Sequence, residues 1–290
     1  MPGILTITAN TAIDYFLEVD HLVSGDNILA KNSTQFAAGK GVNVAKAVES
    51  LKYQVTTLGF VGNQSLPLFD VIESKYIKTD FTQVEGKTRS NITLADITQQ
   101  QETHIRSQGF HVTSADCNRL TEKLGMCIRS GDIVVLSGSL PPGAPKNLYQ
   151  TWISLCHDKQ ALVFLDTSGE SLAEGLSSLP YLIKPNLKEL EDLVGRNLTN
   201  ENSIVTAARE INKLGVKSVV VSRGEQGIIL VTDKVSLVAN IEYSSKEMIS
   251  TIGCGDALVA GLAVAMLRKN SLTEAIKSGV SCAVANLHTH

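Results

Sequence analysis

Little in this sequence is basic, aromatic or paired through sulfur, and each shortage removes a class of function. Twenty-six Lys and Arg against 29 Asp and Glu leave a formal charge of −3. No cationic excess exists to grip a nucleic-acid backbone or an anionic membrane. The five cysteines (117, 127, 156, 254 and 282) are odd in number and far apart, and no CxxC or histidine-rich spacing signals zinc or a disulfide framework. The longest apolar-plus-glycine run, residues 257–267, is well short of the roughly 20 residues that cross a bilayer. The opening MPGILTITAN lacks the basic flank and long apolar stretch of a secretory signal. Glycines and prolines follow no G-X-Y period, and 43% of the 290 residues are hydrophobic, which excludes fibrous and disordered chains. The expectation is a cytoplasmic protein that handles small molecules, with no nucleic-acid or membrane partner.

What is present is a rhythm of short apolar strands and amphipathic helices. Strands are expected at 4–8, 55–61, 88–96, 132–137, 161–166, 181–183, 216–222, 227–231 and 237–241. Helices are expected at 41–51, 116–128, 148–157, 188–193 (capped by Asn186), onward from a cap at Asn202 or Ser203 to Leu214, 256–268 and 272–286. After about residue 110 the order repeats strand, loop, helix, which argues for an α/β fold with a mostly parallel sheet covered on both faces. Ligands in such folds sit beyond the carboxyl ends of the strands. Segments 13–35 and 87–108 break the rhythm and read as β-hairpins that form a small lid. No linker divides the chain, so residues 1–290 read as one domain.

Two glycine-marked turns carry the chemistry. In Ser250-Thr251-Ile252-Gly253-Cys254-Gly255-Asp256 an apolar helix follows a tight turn at once. Amides and the helix dipole then converge on an anion site. Asp256, beside it, can accept a hydroxyl proton while the amides of the turn hold the charge on a transferring phosphoryl group. An aspartate in a first helical turn also serves simply as a cap. In Gly39-Lys40-Gly41-Val42-Asn43 glycines flank a lysine before a helix. This is either a plain turn or an approach to sugar or phosphate, with Lys40 as a point charge and Asn43 as a hydroxyl partner. The spacing is not that of a Walker A loop, and no GxGxxG follows the first strand, which argues against a dinucleotide fold.

AAGKGVNVAKA at 37–47 and STIGCGDALVAG at 250–261 resemble the paired signatures of the ribokinase-like (pfkB-type) carbohydrate kinases. TANTAID, GKTRSN, GFHVTSAD, LSGSLPPG, LIKPNLKELE and VVSRGEQG extend the likeness across the chain. The resemblance implies a three-layer αβα core with a β-sheet lid, ATP and Mg²⁺ as cofactors, a sugar phosphate as substrate, and a homodimer paired through the lid. It makes Asp256 the catalytic base, with the amides of Gly253, Cys254 and Gly255 as the anion hole. It places Asp14, Gly39, Lys40, Asn43, Arg89, Arg106 and Ser139 around the sugar phosphate, and Lys184, Asn186, Ser222, Gly224 and Gly227 around the nucleotide. Glu189 then organises the metal through water. AAGKGxNVAK and the TR-x-N segment are in the style of the branch that converts fructose 1-phosphate to fructose 1,6-bisphosphate. Kinases of tagatose 6-phosphate and fructose 6-phosphate stand as alternatives, and a catalytically silent sugar-phosphate-binding regulator as one of another class.

Several positions depart from the pattern. Cys254 replaces the usual Ala or Ser, and a thiol at a helix N-terminus is expected to ionise readily and react with oxidants. Arg106, where a smaller polar residue is expected, is more in the style of kinases acting on fructose 6-phosphate. Arg223 replaces an apolar residue of the nucleotide loop. The chain ends at His290, short of where relatives usually end, so a weaker adenine site is expected.

Overall fold

A computed structural model describes residues 2–240 and 253–287. The chain opens with β1 (Ile4–Thr8), β2 (Ala12–Val19) and β3 (Asn32–Ala38), followed by α1 (Lys40–Ser50), β4 (Val55–Gly62) and the short α2 (Leu66–Asp70). Strands β5 (Ile77–Val84), β6 (Arg89–Asp96) and β7 (Gln101–Arg106) lead to α3 (Ser114–Cys127). Then come β8 (Ile133–Ser137), α4 (Leu148–Asp158), β9 (Leu162–Asp166), α5 (Gly169–Leu176), β10 (Leu182–Ile183), α6 (Leu187–Val194) and α7 (Glu201–Leu214). Strands β11 (Ser218–Ser222), β12 (Ile228–Val231) and β13 (Ser236–Ala239) precede α8 (Cys254–Leu267) and α9 (Leu272–Asn286).

Nine strands form one sheet in the order β13-β12-β11-β10-β9-β8-β1-β4-β5, parallel from β11 to β5, with β12 and β13 antiparallel at one edge. Its central strands β1 and β8 are buried along their whole length, because helices cover both faces. One core layer joins the sheet to Leu120, Trp152, Leu172, Leu190 and Ala207 of α3 to α7. The other joins it to Val44 and Val48 of α1, Leu258 and Leu262 of α8, and Ile276 of α9. Helix α8 is apolar nearly all round, since it lies between the sheet and α1 and α9. That packing pins its N-terminal turn at the carboxyl edge of the sheet.

The two excursions form a separate four-stranded sheet, β3-β2-β6-β7. They are antiparallel hairpins, as expected, but they pair with each other through the parallel contact of β2 with β6. The first runs deeper than expected, from Ala12 to Ala38, because the lid root packs on Val42, Phe69 and Phe81, whereas the second spans Arg89 to Arg106.

Several boundaries differ from expectation. Asn200, not Asn202 or Ser203, caps α7, its Oδ1 accepting from the Ser203 amide at 2.9 Å. Helix α3 starts earlier, at Ser114, because Thr113 and Asp116 close a capping box. Strand β5, the five-residue α2 and α5 were not among the expected elements; β5 mixes buried and exposed residues without alternation, whereas α5 buries Leu172, Gly175 and Leu176 at helical spacing. Strand β13 begins at Ser236 and is closed at Ala239. Ile241 and the Ser250, Thr251 and Ile252 of the second glycine motif lie outside the described residues.

Candidate active site

Gly253 caps α8 in the left-handed region, φ 81°, which swings the chain into the helix within one residue. The first intrahelical bond runs from the Ala257 amide to the Gly253 carbonyl at 2.8 Å. The amides of Cys254, Gly255 and Asp256 therefore have no acceptor inside the helix and mark its positive end. Asp256 lies buried in this turn, its Oδ2 accepting from Asn43 Nδ2 at 2.8 Å. Burial, and then the negative charge of Asp166, push its carboxyl up to about 7, against the pull of Asn43, Lys40 and Lys184. A carboxylate tuned so high is matched to proton abstraction near neutral pH.

Two ammonium groups flank it. Lys40 Nζ and Lys184 Nζ reach the same oxygen, Asp166 Oδ1, at 3.1 and 3.2 Å. Burial pulls the Lys40 ammonium down, but Asp166 and Asp256 outweigh it and hold the group above its ordinary value. Lys184 sits against the α8 turn: a side chain begun at Gly255 would meet its Nζ at 3.4 Å. Gly39 is needed where β3 turns into α1, because its φ is 124° and a Cβ there would lie 2.6 Å from Thr8 Cγ2. The sequence reading missed Asp166. Its one signal was an acidic residue ending an apolar strand at the sheet's carboxyl edge.

Above this floor lies the lid. Register places Phe36, Asp14, Asn91 and Arg106 in one row across β3, β2, β6 and β7, with Arg89 in the neighbouring row beside Ala12. Residues in register, or two apart on a strand, share a face. Asn91 Nδ2 donates to Asp14 Oδ1 at 2.7 Å. The Arg89 guanidinium donates to the carbonyls of Thr11 and Asn10 at 3.3 and 3.2 Å, so this face turns toward the core. Burial first, then Arg106, lowers the pKa of Arg89. Two cations held close enough to oppose each other suit an oxyanion with two or more negative oxygens. Ser139 Oγ, in the loop after β8, accepts from Asn10 Nδ2 at 3.2 Å.

Other expected residues lie toward the β11 side of the sheet edge. Asn186 caps α6 and Glu189 closes the box: Asn186 Oδ1 accepts from the Glu189 amide and Glu189 Oε2 from the Asn186 amide, both at 2.8 Å. This pair therefore has a structural task of its own, although the Glu189 charge also reaches Lys40. Asn186 bridges to Ser222, and Gly224 opens a 3-10 turn that Gly227 closes. Arg223, out of pattern, turns back into the fold: its side chain is 4% exposed and binds Glu201 at 2.8 Å and the Gln226 carbonyl at 2.6 Å.

The expectation of a readily ionised Cys254 is overturned. Burial raises its thiol, the Asp256 charge raises it further, and the Asn286 amide, 3.6 Å from Sγ, opposes them without prevailing. A thiol next to a buried carboxylate gains no anion from the helix dipole. Carboxymethylation by iodoacetamide at about pH 7, followed by mass spectrometry, is expected to be slower at Cys254 than in a free cysteine peptide. Faster labelling than the peptide would refute that account.

Comparison with known proteins follows the same outline. The family model of the pfkB family carbohydrate kinases matches residues 5–290. A 1-phosphofructokinase of Escherichia coli K12 is 32% identical over 97% of this chain and 89% of its own. The structure of Escherichia coli phosphofructokinase-2 in complex with fructose-6-phosphate superposes with a TM-score of 0.92 at 27% identity, covering 99% of this chain and 94% of that one. A ribokinase from Thermotoga maritima shares the fold, TM-score 0.79 at 22% identity, with 100% and 94% covered.

Proposed function

The chain belongs to the pfkB family of carbohydrate kinases, and on that premise we propose that it transfers the γ-phosphoryl group of ATP to the C6 hydroxyl of fructose 1-phosphate. The protein is a phosphotransferase with an alcohol acceptor and a kinase of fructose phosphates. The observation that carries the reading is the Asp256 carboxylate, buried at the N-terminus of α8 between Asn43 and two lysines. In this mechanism Asp256 takes the C6 hydroxyl proton while the C6 oxygen bonds to the γ-phosphorus and the bond to the β-phosphate oxygen breaks. The proton then leaves to solvent, and fructose 1,6-bisphosphate and ADP depart. The amides of the α8 turn, Lys40 and Lys184 stabilise charge on the transferring group. Asp14, Asn43 and Gly39 hold the sugar, and Arg89 and Arg106 hold its phosphate.

A divalent metal fits the donors present in one way. No group of three or more His, Cys, Asp or Glu able to hold an ion exists among the described residues. Glu189 is an acidic group near Lys40, and Asp166 Oδ2 is buried with no hydrogen-bond partner. Both suit contact through water to a Mg²⁺ carried by the nucleotide, because Mg²⁺ keeps most of its waters. Bound there, the metal neutralises phosphate charge. Ser222, Gly224 and Gly227 line the path of the nucleotide, and we read residues 1–290 as one kinase domain with the lid inserted.

A homodimer through the lid fits its other face. Tyr15, Leu17, Ile92 and Leu94 are half-buried on the side opposite Asp14, and Ile105 is 50% exposed on the edge strand β7. Pairing would cover this apolar surface.

Substrate choice is decided by ADP release with MgATP and fructose 1-phosphate, fructose 6-phosphate or tagatose 6-phosphate, each offered alone. A kcat/KM for fructose 1-phosphate at least about tenfold above the others is expected. The second reading is a fructose 6-phosphate kinase, favoured by the position of Arg106 beside Asn91. A preference for either 6-phosphate would sink the first reading.

A further inference from the structure

Down one side of α1, side chains three residues apart reach three different neighbours. Lys40 binds Asp166, Asn43 binds Asp256, and Lys46 reaches the root of the lid. Lys46 Nζ donates to the Ala37 carbonyl at 2.6 Å and stands 5.1 Å above the centroid of the Phe36 ring. Phe36 is the register partner of Asp14. The ammonium therefore comes up from the helix beside the carboxylate assigned to the sugar, and among the described residues Asp14 is the charged group that acts on it. We infer that Lys46 is a positioning residue of the sugar site, tying the lid root to α1 and supplying the positive charge that faces Asp14 from the helix. The inference rests on the reading of Asp14 as the group that holds sugar hydroxyls.

Burial pushes the Asp14 carboxyl up, and four groups oppose it: Asn91 by hydrogen bond, then Lys46, Arg89 and Arg106 by charge. Those four come from α1, β6 and β7. The two arginines face the lid side, where a bound phosphate dianion offsets their charge. Lys46, on α1 and bound to a carbonyl, is left as the cation that keeps Asp14 an acceptor for hydroxyl protons. Lys46 is itself shifted down by its burial, with Asp14 pulling the other way. The Ala37 carbonyl and the Phe36 ring offset part of the cost of burying the ammonium there and fix where its charge lies.

The test uses the full chain as parent, Lys46→Met and Lys46→Arg. The carboxyl carbon resonance of Asp14, assigned with Asp14→Asn, is titrated by NMR without substrate. Loss of the cation is expected to move the Asp14 transition to higher pH by about half a unit or more, and Lys46→Arg to restore it. Calorimetric binding of fructose 1-phosphate is expected to weaken about tenfold in Lys46→Met, with kcat at saturation changing less. An unmoved Asp14 titration in Lys46→Met overturns the inference. So does equal loss of binding in both variants, which would make Lys46 a packing residue. A parent that neither binds nor phosphorylates any fructose phosphate would refute the proposed function, while the titration still decides what the Lys46 charge does.

Discussion

Asp256→Asn is expected to lower kcat by at least about a hundredfold while the affinity for sugar phosphate stays within about threefold. Asparagine keeps an oxygen for Asn43 Nδ2, so the turn and the sugar contacts hold while the base is lost. The parent should also show a pH dependence that the variant lacks. With the carboxyl near 7, kcat/KM should fall about tenfold per pH unit below that value, because a protonated base cannot accept. Stability supplies an opposite sign. A carboxyl raised in the folded state stabilises the fold at low pH and loses that contribution as pH rises through about 7. Above that pH, Asp256→Asn should melt a few degrees higher than the parent, as often happens when a buried active-site charge is removed. Near-parental kcat in the variant would remove Asp256 from the role of base.

Asp166→Asn is expected to have the second largest effect, by a different route. Asp166 is 1% exposed and binds both Lys40 and Lys184 through one oxygen. Removing one member of a buried ion pair costs about 3–5 kcal/mol, because Lys184 stays buried without compensation, while the half-exposed Lys40 is relieved by water. A fall in Tm should accompany a loss of about ten- to a hundredfold in kcat/KM for MgATP, as the two ammonium groups lose their anchor. The acid limb should then move to lower pH, because the Asp166 charge is one cause of the high Asp256 pKa. A variant with parental MgATP kinetics and an unmoved limb would show that the lysines hold their places without Asp166.

Much of the candidate site was legible because its residues are local in the chain. Gly253 to Asp256 and Gly39 to Asn43 are contiguous, and each combines a backbone turn with a functional side chain within one helical turn. The capping pair Asn186 and Glu189 was legible for the same reason, although its structural task came with it. Asp166, Asn10, Asn91 and Lys46 were not read as site residues. Asp166 was marked only by its place at the end of an apolar strand, Asn91 and Lys46 only by lying in recognised segments, and all four act across the fold. Cys254 shows the reverse failure: the local rule for a thiol at a helix N-terminus is sound, but burial and the adjacent carboxylate outweigh it.

The sequence by itself determined the alternation of strand and helix, the glycine-marked turns and the family, since these rest on residues close along the chain. Tertiary structure decided that the two hairpins join through parallel β2 and β6, that Asp166 gathers both lysines, and that Asp14 stands among three cations. Register and burial are properties of the packed molecule. A charge acts through space at distances that sequence separation does not measure, here 126 residues between Lys40 and Asp166 and 213 between Asn43 and Asp256.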